Sequence, residues 1–179
     1  MPTSNMRRRF LLAGITASII AHPLAGMAQD GSVRLQRWQY DRLNDIGNNI
    51  SRRLWGLDIE NGLMDDHYRI RIPSRLLFVK PASDRLQKDG IHLLTTLAEG
   101  LKANRKWRME IVAHCSPQSS EYKSTIATRR QAEMVLATLQ SRRVDGHLMK
   151  ATGLGDLFPI VNAGHGNDRV EFLISLAPR

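Results

Sequence analysis

Eight residues near the C-terminus, "RVEFLISL" (Arg169–Leu176), constrain the fold more than any other stretch. Val170, Phe172, Ile174 and Leu176 alternate with Arg169, Glu171 and Ser175. A period of two puts the apolar set on one face of a β-strand. Such a strand needs partners to complete its hydrogen bonds and a further layer to cover its apolar face. The chain must therefore supply both.

Upstream, "YRIRI" places Ile70 and Ile72 on one face and ends at Pro73, which predicts another strand. Pro81-Ala82-Ser83 then breaks the chain. Leu86, Leu93, Leu94, Leu97 and Leu101 follow with the spacing of one helix face. "RMEIVA" alternates Met109, Ile111 and Ala113 as a second strand. Glu121 to Arg143 contains no glycine or proline, and Ile126, Met134, Val135, Leu136 and Leu139 suit an amphipathic helix. A short third strand, Leu148 to Thr152, is expected to end in a tight exit at Gly153 and Gly155. From residue 66 the order is β-α-β-α-β-β. It predicts an α+β sandwich with one mixed sheet covered by helices on one side.

Before this lies a mixed segment with Leu35, Trp38, Leu43, Ile46, Ile50, Leu54 and Leu57 at near-helical spacings. These predict a helix from about Leu35 to Leu54. Trp38, Tyr40 and Trp55 form either a partner-binding stripe or, the reading we favour from sequence, the contact that packs this helix on its own domain. The first residues follow another pattern. Arg7, Arg8 and Arg9 precede an apolar run, Phe10 to Ile20, and Gly26 and Ala28 sit at the −3 and −1 positions for cleavage after Ala28. That is the layout of a secretory signal peptide, Sec or twin-arginine, and the run is too short to span a bilayer. Three parts are expected: a signal peptide (1–28), an N-terminal arm (29–65) and the sandwich domain (66–179). Loss of residues 1–28 removes three arginines and no acids, lowering the net charge from +9 to +6. A moderately basic exported chain suits anionic wall or lipid better than nucleic acid, since its basic residues form no long run. The single cysteine, Cys115, permits no internal disulfide, and a segment without cysteine offers no site for lipoprotein acylation.

Six segments in order are similar to the OmpA-like C-terminal domain family, which includes peptidoglycan-associated lipoproteins and flagellar stator proteins. They are "IPSRLLF" (72–78), the leucine-faced helix, "EIVAHCS" (110–116), "ATRRQAEMVLATLQSRRV" (127–144), "GLGDLFP" (153–159) with Asn162, and "NDRVEF" (167–172). The resemblance implies noncovalent binding of peptidoglycan through the diaminopimelate of its stem peptide. That zwitterion needs a carboxylate for its ammonium and guanidinium groups for its carboxylates. The family supplies an aspartate in "GHTD", an arginine in "LSxxRA" and an arginine after the asparagine of "NRRVE". Here the first motif reads Ala113-His114-Cys115-Ser116, so Ser116 replaces the aspartate. Gln131 falls in the helix arginine's place, or Arg130 if the helix is shifted by one residue. Asp168 falls in the last arginine's place, between Asn167 and Arg169. Each lost charge-assisted contact removes roughly 1.5–3 kcal/mol. A compensated site, with Asp168 holding an ammonium and Arg130 a carboxylate, is the alternative to a lost one.

The candidate ligand-binding residues are thus His114, Ser116, Arg130, Gln131, Asn167, Asp168 and Arg169. No catalytic residue, metal or cofactor is expected. His114 and Cys115 are neighbours on a strand, so their side chains point apart, and His67, His92, His147 and His165 lack metal-ligand spacing. Arg129-Arg130 and Arg142-Arg143 read as a solvated helix face in preference to an anion patch. The expected role is that of a periplasmic protein, associated with the wall or outer membrane, which binds peptidoglycan and tethers an envelope component. The alternative is a degenerate scaffold serving a secretion or conjugation apparatus. In either case residues 35–57 are the expected attachment to a protein partner.

Overall fold

The computed structural model describes residues 35–80, 82–104, 106–117, 120–160 and 164–177. The signal-like segment 1–28 lies outside the described residues. Helix α1 spans Arg37–Arg53, and strands β1 and β2 span Glu60–Leu63 and Tyr68–Pro73. A single turn, α2 (Ser74–Leu77), leads to α3 (Lys88–Lys102) and β3 (Trp107–His114). The long α4 (Glu121–Ser141) is followed by β4 (Met149–Gly155) and β5 (Arg169–Leu176). The five strands form one mixed sheet in the order β1-β2-β5-β3-β4. Only β3 and β4 run parallel.

The alternating strand β5 takes a central place, between β2 and β3, where Val170, Phe172 and Ile174 are fully buried. They meet Ile70 and Ile72 of β2, Met109 and Ile111 of β3, and Leu94, Leu97 and Leu101 of α3 in one core. Fully burying a side chain of this size stabilises by roughly 1.5–3 kcal/mol. The same core takes Leu43, Ile46 and Ile50, spaced along one face of α1, and Leu54 just after it. None of the described helices is long and apolar enough to cross a membrane.

Strand β1 had no sequence signal, because "ENGL" carries no apolar alternation. Its ladder to β2 and the Glu60–Arg71 ion pair, 2.5 Å, hold it at the sheet edge. The turn of this hairpin contains residue 66, so the segment before that residue shares the core of the segment after it. Strand β4 is also longer than expected and runs through Gly153 and Gly155. Gly153 is needed because α4 passes so close that a Cβ there would lie 2.2 Å from the backbone nitrogen of Arg129. Gly155 takes a left-handed φ of 57°. On the polar face of β5, Arg169 is only 4% and Glu171 9% exposed. A central strand is flanked on both edges, and these two charges are paired.

The aromatics of α1 correct the packing expectation. Trp38 is 47%, Tyr40 49% and Trp55 90% exposed. They do not form one stripe either. At about 1.5 Å per residue, Trp38 and Trp55 lie at opposite ends of a helix roughly 25 Å long.

Candidate functional site

The candidate site lies where β3 ends and β5 begins. These strands are antiparallel neighbours with His114 opposite Arg169, so the residues after His114 meet the residue before Arg169. Ser116 donates its backbone N–H to Asp168 Oδ1 at 2.8 Å and its Oγ–H to Oδ2 at 3.1 Å. The backbone carbonyl of Asp168 accepts from the N–H of Ser74 at 2.8 Å, which ties the same point to the end of β2.

On its other flank the loop is locked to β4 and α4. The N–H of Cys115 donates to the Gly155 carbonyl at 2.9 Å, and the N–H of Gly155 donates to Thr128 Oγ1 at 3.0 Å. Thr128 Oγ1 in turn donates to the Ser124 carbonyl at 2.8 Å. Helix α4 is started by Ser120, whose Oγ accepts the N–H of Lys123, so the loop's exit is fixed as well.

Arg169 is held inside the protein. Its Nε donates to Glu171 Oε1 at 2.7 Å, and its terminal nitrogens donate to the carbonyls of Asn167 and Phe158 at 3.3 and 3.1 Å. Glu171 also accepts from Arg71 Nε at 3.0 Å. Burial alone would raise the Glu171 pKa. The Arg169 hydrogen bond and charge, with the charges of His114 and Arg71, outweigh it and hold the carboxyl below its ordinary range. The His114 ring is itself buried in this neighbourhood, 4% exposed. Asn167 has a structural task, because its Oδ1 accepts the N–H of Ile160 at 2.7 Å.

Of the two helix candidates, Gln131 points inward. It is 1% exposed and donates Nε2–H to the Ser83 carbonyl at 2.8 Å. Its neighbour is turned about 100° away. Arg130 is exposed and lines a cavity of about 250 Å³ with Lys123, Ile126, Ala127, Ala82 and Asp84. Ser116 and Asp168 are not part of that lining. The structure therefore joins Ser116 to Asp168, sets Arg130 on a separate opening, and encloses Gln131, Arg169 and His114.

Cys115 is 4% exposed. Burial pushes its thiol up; the Ser124 contact opposes this, while the charges of Asp168 and Asp156 add to it. A nucleophile needs the thiolate, which this setting disfavours. Sequence reasoning overlooked a larger cavity, about 1080 Å³, beside Trp55. Its signal was Asn48-Asn49 in the last turns of α1, followed by the Trp55-Gly56 turn.

No protein-family model matches the chain, and no curated protein matches it in sequence. Solved structures do match. A putative MotB-like protein from Desulfovibrio vulgaris superposes with a TM-score of 0.69 at 22% identity, over 82% of this chain and 98% of that one. The periplasmic domain of Helicobacter pylori MotB gives 0.62 at 18% identity, over 69% and 85%. The cell wall anchor of the type VI secretion system from Pseudomonas aeruginosa gives 0.62 at 18% identity, over 74% and 97%. At such identities the likeness establishes the fold, which is that of OmpA-like domains.

Proposed function

We propose that this is an exported cell-envelope protein whose OmpA-like domain binds peptidoglycan noncovalently through a modified pocket and tethers an envelope component to the wall. The contact between Ser116 and Asp168 carries this reading. In the resembled family an aspartate occupies the loop position that is Ser116 here. Asp168 reaches that position from the opposite strand, so a carboxylate stands at the same place with its origin exchanged. A carboxylate offers about four lone-pair sites. Ser116 takes two of them, which leaves capacity for the ammonium of a diamino acid. Arg130 and Lys123, which line a separate opening together with Asp84, supply the cations for its carboxylates.

The neighbours support this role, since they are described as a periplasmic domain and a cell wall anchor. The signal-like first 28 residues agree with export to the periplasm by a Sec or twin-arginine route. Exposed Trp38 and Tyr40 support attachment of a protein partner through the segment 35–57. The role is one of binding and tethering, without catalysis.

A second reading is favoured by Gln131 and Arg169. One stands buried where the family has its helix arginine, and the other is bound to Glu171. On that reading the domain is a scaffold in an envelope assembly such as a secretion apparatus, and it does not hold the wall.

Co-sedimentation with purified peptidoglycan sacculi tests the two. The wild-type chain is expected to pellet. Asp168→Asn is expected to weaken pelleting about tenfold to a hundredfold, the loss of one or more charge-assisted contacts. Arg130→Ala is expected to weaken it by a similar factor. A wild-type chain that stays in solution at low salt overturns wall binding and leaves the scaffold.

A further inference from the structure

At the C-terminal end of α1 the chain turns sharply after Leu54. Gly56 has a φ of 85°, and it sets the adjacent indole of Trp55 out into solvent, 90% exposed. The cavity of about 1080 Å³ opens beside that indole. Leu54 and Ile59 give it apolar wall, and Asn48, Asn49, Asn61 and Asn104 contribute four carboxamides.

Three of these carboxamides are held with part of their capacity in hand. Asn61 Oδ1 accepts from Ser51 Oγ at 2.9 Å and from Tyr68 Oη at 2.8 Å, which leaves its two N–H donors. Asn104 donates Nδ2–H to the Gly100 carbonyl at 2.9 Å and keeps Oδ1 as an acceptor. Asn49 Oδ1 accepts from Arg53 Nε at 3.1 Å and keeps its N–H donors. The Asn48 carboxamide is engaged by none of the described residues. The cavity thus presents fixed donors and fixed acceptors beside a flat apolar surface, at little ordering cost on binding.

We infer that this cavity is a saccharide-binding site for N-acetylated amino-sugar units, with Trp55 as its platform. A sugar hydroxyl both donates and accepts, so it needs both functions nearby, which carboxamides supply. The C–H face of a pyranose ring packs flat on an indole, whose polar edge stays in water. An acetamido group matches a free carboxamide donor for acceptor. The charges lining the cavity, Arg42 and Arg52 against Asp45, are too few and too mixed for a nucleic-acid track. A protein partner would call for clustered aromatic anchors, but Trp38 lies a helix length away. The site stands on its own geometry, and it rests on the wall-binding reading only for the source of the sugar.

The test titrates the full chain with chitotetraose, a glycan without stem peptide, followed by tryptophan fluorescence and by the asparagine side-chain resonances. Saturable binding in the millimolar range is expected, weakened about tenfold by Trp55→Ala and also weakened by Asn48→Ala. Both positions are exposed, so folding is kept, and circular dichroism checks it. No saturable response, or an equal response in Trp55→Ala, overturns the site. Pelleting with sacculi in a chain that ignores chitotetraose overturns this site and keeps the wall reading. Chitotetraose binding without pelleting does the reverse. A protein captured through Trp55 by a chain that ignores chitotetraose also overturns the site.

Discussion

The two candidate sites differ in what their polar groups already do. Around Asp168 most of the charges serve the fold: Arg169 and Arg71 both bind Glu171, and Ser116 binds Asp168. Around Trp55 four neutral carboxamides stand among Arg42, Asp45 and Arg52, and those of Asn49, Asn61 and Asn104 are pinned at one atom and open at the other. The charges of the first are largely taken up by its own protein. The second keeps spare bonding capacity. A site is better judged by that capacity than by the residue types it contains.

The sharpest way to break this contrast is Glu171→Gln. If the cluster serves the fold, the variant leaves the buried Arg169 beside a neutral amide and Arg71 with Glu60 as its remaining carboxylate. It should lose about 3–5 kcal/mol of stability, seen as a lower urea midpoint with an unchanged slope. A loss near zero would mean that Arg169 is available to a ligand after all.

The pH dependence makes the same point more gently. Glu171 is held below its ordinary pKa in the folded state. Its contribution is therefore complete above about 4.3, the unfolded glutamate value, and is lost as the pH falls through the lower folded value. Urea midpoints measured through this acid range should drop in the wild type, with that portion of the drop absent in Glu171→Gln.

Ser116→Ala removes the hydroxyl bond to Asp168 and keeps the backbone one, so about 0.5–1.5 kcal/mol is expected in the same denaturation assay. Smallest of all, Trp55→Ala should stay within about 0.5 kcal/mol of wild type. A larger loss would show that the indole serves packing and would erase the difference between the two sites.

Much of the fold could be read in advance. The leucines of α3 and the alternation in β2, β3 and β5 placed their buried faces correctly, because burial follows a period of 3.6 or 2. Strand β1 escaped because an edge strand is held by ladder bonds that any residue can make. The glycines of β4 were read as an exit, although Gly153 is there for the approach of Arg129 in α4. In the site, Ser116 and Asp168 were each singled out, yet their contact was not foreseen. Arg169 was named a ligand residue, and nothing in "NDRVE" says that Glu171 takes it.

What the chain determined by itself was the order of its strands and helices other than β1, the apolar face of each, and the stock of charges at the loop, since these depend on neighbours a few positions away. Tertiary structure alone decided which charge meets which. Arg71 and Glu171 are a hundred residues apart in the chain and 3.0 Å apart in space. Coulomb energy and hydrogen bonds depend on separation in space, and the sheet register sets that separation.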